Sequence, residues 1–270
     1  MIEWVKRTTM RKLFFYFKTR NKYSEPMVEH DFLLRCIPQE LPEQKLIDLE
    51  LIVRPHPACG KYGFDSFGNR TYTGRLPEAH KFFQYAVRGN AIRDDSLQQI
   101  SPRPIPAFSY PSRLTQPSDS LRVLLDKIPV HDQILQQVEL IREAVHSHML
   151  YHSGSTNIHT TAAEAAARGE GVCQDYTHVF LALCRMRRIP CRYVNGLPEG
   201  EGASHAWAEV WFEGKWYGVD PTRNCPTDET YLKLCTGRDF LDCPIETGVL
   251  RGSAIQLQDV YTKVKTVSHS

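Results

Sequence analysis

Aromatic and branched residues first cluster in short runs, Leu13–Lys18, Asp31–Ile37, Leu46–Val53 and Phe82–Val87, separated by Pro, Gly, Asn and Asp. Runs of this length between turn formers predict strands. Asp65-Ser66-Phe67-Gly68-Asn69-Arg70 predicts a tight turn, with Gly68 and Asn69 able to take positive φ. Helical periodicity is absent as far as about Arg88, so a small antiparallel β-sandwich is expected. Ser101-Pro102-Arg103-Pro104-Ile105-Pro106 and Tyr110-Pro111 then stiffen the chain and remove ladder donors, which predicts a connection. After Pro129 the period changes. Ile134, Val138, Ile141, Val145 and Met149 recur at helical spacing, and Thr161-Ala162-Ala163-Glu164 has the form of a capping box. A further helix begins at Cys173 and carries Tyr176, Val179, Phe180, Leu183 and Met186 before Pro190. The expected organisation is a β-rich domain over 9–100, a Pro-rich connection over 101–128 and a second domain over 129–270.

The most informative alternation follows. From Ser204 to Phe212, His205, Trp207, Glu209 and Trp211 share one strand face, and Ala206, Ala208, Val210 and Phe212 the other. Glu213-Gly214 is a two-residue hairpin turn. If Phe212 pairs with Lys215, Trp207 lies opposite Asp220, and Asp220 lies diagonal to His205 on the same face. Diagonal neighbours are about 7–8 Å apart by Cα, a gap that Asp and His side chains bridge with a hydrogen bond.

Composition narrows the classes. The 270 residues are 41% hydrophobic and 24% charged, with a formal net charge of +2 and no long basic run, which argues against nucleic acid as a partner. Leu13-Phe14-Phe15-Tyr16-Phe17 is too short to span a membrane, and no small-residue cleavage pattern follows it. A buried strand, no membrane association and a cytoplasmic location are expected. The eight cysteines form no CxxC pair and no zinc-type grouping, so reduced thiols and no structural metal are expected. His146, His148 and His152 do not share one helix face and read as a solvated helix end. Cys184 and Cys191 read as small buried hydrophobes.

Cys173 is different because it opens a helix. A thiolate there meets unpaired backbone N–H groups and the positive end of the helix dipole, and with a protonated His partner such cysteines titrate at roughly 3.5–7.5. The three side chains take complementary roles. Cys173 is the nucleophile, His205 the proton carrier and Asp220 the carboxylate that orients the imidazole. The Cys173 backbone N–H is one oxyanion donor; Gln174 and Tyr151 are candidates for a second. Trp207 is a candidate site wall, with a core aromatic as the competing reading.

Glu170-Gly171-Val172-Cys173-Gln174-Asp175-Tyr176, Ile189-Pro190-Cys191-Arg192-Tyr193-Val194-Asn195-Gly196, His205-Ala206-Trp207-Ala208-Glu209-Val210, Trp216 and Asp220-Pro221-Thr222 resemble the bacterial transglutaminase-like superfamily. Phe32-Leu33-Leu34-Arg35-Cys36-Ile37-Pro38 and Asp65-Ser66-Phe67-Gly68-Asn69 resemble the β-rich domain that commonly precedes its core. The resemblance covers nearly the whole chain. It implies an α+β fold, with a papain-like core in which a nucleophile helix packs on an antiparallel sheet, and the triad Cys173, His205 and Asp220. Arg188 stands where the family usually has glycine before Ile-Pro, and Arg223-Asn224-Cys225 replaces the usual loop after Pro221-Thr222. Gly237-Arg238-Asp239-Phe240 also resembles a family segment, with charges expected to support the core. Members include transglutaminases, cysteine peptidases and amidases, all working through a thioester. The expected activity is hydrolysis of a peptide or other amide bond in a peptide or protein substrate, without a cofactor. The alternatives are a transglutaminase joining a glutamine carboxamide to an amine, and a non-catalytic interaction domain.

Overall fold

The computed structural model describes residues 10–100 and 104–267, so Ser101-Pro102-Arg103 and the chain before residue 10 lie outside the described residues. Five strands lead: β1 (Arg11–Leu34), β2 (Gln44–Arg54), β3 (Cys59–Phe64), β4 (Arg70–Leu76) and β5 (His80–Arg93). Leu13, Phe15 and Phe17 of β1 are buried in alternation, as a one-sided strand requires. The expected strand Leu13–Lys18 and the first part of Asp31–Ile37 are joined within β1, a single strand of 24 residues that ends at Leu34. Its register against β5 shifts between Lys22 and Met27, and Glu29 takes a positive φ of 51°. Such an irregularity bends a strand. β1 therefore serves two leaves, pairing with β5 in its first half and with β4 in its second. The leaves close on each other where Phe32 meets Phe83, ring centroids 4.8 Å apart.

The middle of the chain is helical: α1 (Asp119–Asp126), α2 (Ile134–His148), the short strand β6 (Leu150–Tyr151), α3 (Ala162–Arg168), the short strand β7 (Glu170–Gly171) and α4 (Cys173–Met186). The expected connection over 101–128 thus contains a helix. Ser118 caps α1 by accepting the Leu121 N–H, and Leu121, Leu124 and Leu125 are buried. Thr161 and Glu164 form the reciprocal box expected at the start of α3, with Glu164 accepting the Thr161 N–H at 2.8 Å.

Next come β8 (Cys191–Pro198), β9 (Gly200–Gly202), β10 (His205–Phe212), β11 (Lys215–Asp220), β12 (Cys225–Pro226) and β13 (Tyr231–Gly237), and the chain ends in β14 (Glu246–Arg251) and β15 (Gln256–Thr266). A five-stranded sheet runs β12-β11-β10-β8-β13. α4 packs on it with Val179, Phe180 and Leu183 fully buried. β14 and β15 leave this unit and pair antiparallel with the two halves of β1. The last strands, expected in the second domain, therefore complete the N-terminal sheet. Their short alternating pattern carries no information about which sheet they join.

β13 is an edge strand, and an open edge invites foreign pairing. Here N-terminal side chains cover it. Gln44 accepts the Lys233 N–H at 2.8 Å and donates to the Lys233 carbonyl at 2.9 Å. Asn69 accepts the Thr236 N–H at 2.7 Å and donates to the Thr236 carbonyl at 2.8 Å. Two primary amides thus imitate a neighbouring strand. The Asp65–Asn69 turn exists to present one of them. The Asp65 carboxylate accepts the backbone N–H groups of Phe67 and Asn69 and pairs with Arg35 at 2.7 Å. Gly68 takes the expected positive φ, 77°.

Candidate functional site

β7 delivers the chain to α4 and the side chain of Asp175 closes the first turn. Its Oδ2 accepts the Val172 N–H at 2.8 Å and the Thr156 hydroxyl at 2.7 Å. Gly171 is required by close approach, because a Cβ there would lie 2.6 Å from the Asp175 side chain. Cys173 is the first residue of α4 and is partly exposed. Among the described residues none accepts the backbone N–H of Cys173 or Gln174, as the geometry of a helix start dictates.

The hairpin adopts the expected register. Phe212 pairs with Lys215 and Ala208 with Val219, around a turn in which Glu213 and Gly214 both take positive φ, 46° and 82°. Period-two alternation then carries Asp220 to the His205 face. His205 Nε2 lies 2.7 Å from Asp220 Oδ2, which leaves Nδ1 as the other ring nitrogen, and Cys173 is near enough to favour the imidazolium. Burial opposes the imidazolium. The hydrogen bonds and negative charges of Asp220 and Cys173 outweigh it and raise the His205 pKa to about 9. For Asp220, burial works against ionisation, yet His205, the backbone N–H of Arg223 and the Tyr231 hydroxyl hold the carboxyl below its ordinary range. The arrangement can bear a thiolate–imidazolium pair.

His178, one turn further along α4, shows the opposite outcome. It is fully buried, and its Nε2 accepts the Phe240 N–H at 3.2 Å, so the ring is neutral. Burial lowers its pKa to about 4, helped by the charge of Arg185 and opposed by Asp239.

The other candidates are distributed unevenly. Tyr151 is 59% exposed and lies near Cys173: burial and the charge of Cys173 both raise its phenol pKa. Gln174 points its amide to the Ile158 carbonyl at 3.4 Å, tying α4 to the loop beside it. Trp207 is 2% exposed and packs its ring edge-on against Tyr231 at 5.3 Å. It stands behind the Asp220 position as a core aromatic and forms no open wall. His146, His148 and His152 each engage a different partner, the Pro221 carbonyl, the Ala166 carbonyl and Glu170. Cys184 and Cys191 are fully buried. In the Gly237–Phe240 segment, Asp239 accepts the Leu114 N–H at 3.1 Å and Arg238 pairs with Asp242.

Residues 124–221 match the transglutaminase-like superfamily, a span that encloses Cys173, His205 and Asp220, and residues 15–91 match the bacterial transglutaminase-like N-terminal region. The chain belongs to this family. An uncharacterised protein of Mycobacterium tuberculosis is 27% identical over 86% of this chain and 85% of its own length. An uncharacterised protein of Mycobacterium leprae is 34% identical over a shorter stretch, 42% of this chain and 44% of that protein. Among solved structures, a Cytophaga hutchinsonii protein described as a "putative cysteine protease" superposes with a TM-score of 0.82 at 22% identity, covering 97% of this chain and 92% of its own. At that identity the likeness establishes the fold. The backbone of this chain accounts for a departure from the transglutaminase-like pattern. Arg188, where glycine is usual, has φ 60°, the left-handed conformation that glycine adopts without strain after a helix.

Sequence reasoning missed Tyr231. Its hydroxyl donates to Asp220 Oδ2 at 3.0 Å, beside His205. A tyrosine opening an apolar strand carries no motif, and residue 231 lies beyond the matched superfamily span.

Proposed function

We propose that the protein is a cysteine hydrolase of peptide or other amide bonds. The observation that carries this reading is the His205–Asp220 pair, 2.7 Å apart, with Cys173 at the start of α4 near enough to help hold the imidazole protonated. The Cys173 sulfur attacks the carbonyl carbon, forming a C–S bond and a tetrahedral oxyanion beside the free N–H groups of Cys173 and Gln174. The C–N bond breaks as His205 passes its proton to the departing amine. Water, deprotonated by His205, then attacks the thioester. The acid leaves and the thiol is restored. Asp220 holds the imidazole and offsets its charge throughout.

A peptide is the favoured substrate because of β6. Its Leu150 and His152 N–H groups bond to Gly169 and Gly171, so the N–H and C=O of Tyr151 face away from β7. That edge lies beside the nucleophile and suits an extended chain. The unpaired cysteines support a reducing compartment, the cytoplasm, as the site of action.

Iodoacetamide labelling with peptide mapping should modify Cys173 fastest among the eight thiols. Uniform labelling would remove the activated nucleophile. Incubation with a glutamine-containing peptide, with and without a primary amine, and mass analysis of Cys173 adducts then separate hydrolysis from amine transfer. Incorporation of the amine in preference to water would replace hydrolysis by transglutamination.

A further inference from the structure

We propose that Tyr231 is a positioning residue for the Asp220 carboxylate, and that the N-terminal β region sets its place by clamping β13. The inference rests on the reading of Cys173, His205 and Asp220 as a working set. Asp220 is completely buried. Its Oδ1 accepts the backbone N–H groups of Thr222 and Arg223, each at 3.0 Å. Its Oδ2 accepts from His205 at 2.7 Å and Tyr231 at 3.0 Å. The backbone pair fixes one oxygen. The phenol decides where the other points, and that oxygen meets the imidazole.

Tyr231 suits the task. Burial and the Asp220 charge hold its phenol well above the ordinary value, so it remains a donor throughout the working pH range. Its ring is braced by the Trp207 edge and by the Arg223 guanidinium, 5.6 Å from its centroid. Its strand is the edge strand β13, and only two residues further on begins the amide clamp described above. Gln44 brackets Lys233 and Asn69 brackets Thr236. Gln44 and Asn69 are themselves fully buried. A strand held at two backbone positions by rigid amides cannot slide or twist freely, so the hydroxyl at its head is fixed relative to Asp220. This assigns the β-rich region a part in the site although it contributes no group to the reacting atoms.

The test is the titration of Asp220 in full-length protein carrying ¹³C-labelled aspartate, assigned with Asp220→Asn. Tyr231→Phe keeps the ring and removes one donor to a carboxylate, so the Asp220 pKa should rise by about one unit. The acid limb of iodoacetamide labelling at Cys173 should move the same way. Asn69→Ala and Gln44→Ala should each shift the titration in that direction, and neither should add a shift to Tyr231→Phe. Leu34→Ala, a core truncation in β1, controls for general destabilisation and should leave the titration in place. An unchanged Asp220 titration in Tyr231→Phe overturns the positioning role. A shift in Tyr231→Phe with none in the clamp variants overturns the part assigned to the N-terminal region. Uniform labelling of wild-type cysteines, by contrast, would count against the proposed hydrolase alone, because the carboxyl titration needs no active nucleophile.

Discussion

Strand β10 carries two ionic clusters on one face, four residues apart, and they differ in what they leave open. At Glu209, one carboxylate is saturated: Arg192 Nη2 lies 2.6 Å from one oxygen and Lys233 Nζ 2.6 Å from the other. Arg192 also stacks on Trp216, 4.0 Å from the ring centroid. Burial opposes the Glu209 charge, but two cations overcome it and bring its pKa down to about 2. Lys233 moves below its ordinary value, because burial and the neighbouring Arg192 outweigh what it gains from sharing Glu209 and from Glu43. At His205, the carboxylate of Asp220 is equally buried, but the imidazole retains a nitrogen for the Cys173 thiol. The chemistry of the two clusters is similar. Completeness makes one a structural joint, and a single uncommitted valence makes the other a candidate site.

The sharpest way to break the contrast is Asp220→Asn. The imidazolium loses its countercharge, and the rate of Cys173 acylation at neutral pH should fall by about 10²–10⁴-fold, measured by burst or labelling kinetics. The fold should survive, since the backbone donors of Thr222 and Arg223 still meet an amide oxygen. Glu209→Ala should do the reverse. It leaves Lys233 and Arg192 buried without a carboxylate between them, and stability should fall by about 3–5 kcal/mol in urea unfolding. If Glu209→Ala were as stable as the wild type, the cluster would not be a joint.

The two clusters also place stability losses at opposite ends of the pH scale. Glu209 titrates near 2 when folded and near 4.5 when free, so its contribution is present above about 4.5 and disappears as pH falls through 2. His205 titrates near 9 when folded and near 6.5 when free, so its contribution is present below about 6.5 and disappears as pH rises through 9. Each shift corresponds to at most about 3.5 kcal/mol. Glu209→Gln should flatten the acid arm of the stability profile and His205→Gln the alkaline arm. Equal effects of both variants on both arms would refute the separation.

The smallest effect belongs to neither cluster. Arg188→Gly should relieve the positive φ after α4 and raise stability by up to about 1 kcal/mol, visible as a modest rise in Tm. It should leave the His205 titration unchanged, which would mark that departure from the family pattern as structural.

Much of the candidate site was legible because its parts are local. The start of α4 at Cys173, the two-residue turn at Glu213-Gly214 and the alternation from His205 to Phe212 each follow from backbone geometry over a few residues. Together they carried Asp220 to the His205 face before any tertiary contact was considered. The ends of elements were less legible where a capped amphipathic turn followed a proline-rich stretch, as at Ser118 and α1. Trp207 illustrates the limit of a face assignment. Alternation places it beside His205, but only the packing of Tyr231 against it decides that it is buried.

What the sequence determined by itself was therefore the helix that opens at Cys173, the hairpin register and the β-rich character of the N-terminal half, since periods of two and 3.6 residues are properties of the backbone. Only the tertiary structure decided that β1 serves two leaves, that β14 and β15 return to it, that Gln44 and Asn69 close the edge of β13, and that Tyr231 meets Asp220. These are long-range closures, in which one side chain satisfies a backbone or carboxylate far away in the chain. A hydrogen bond of that kind has no period, so it leaves no pattern in the sequence until the chain has folded.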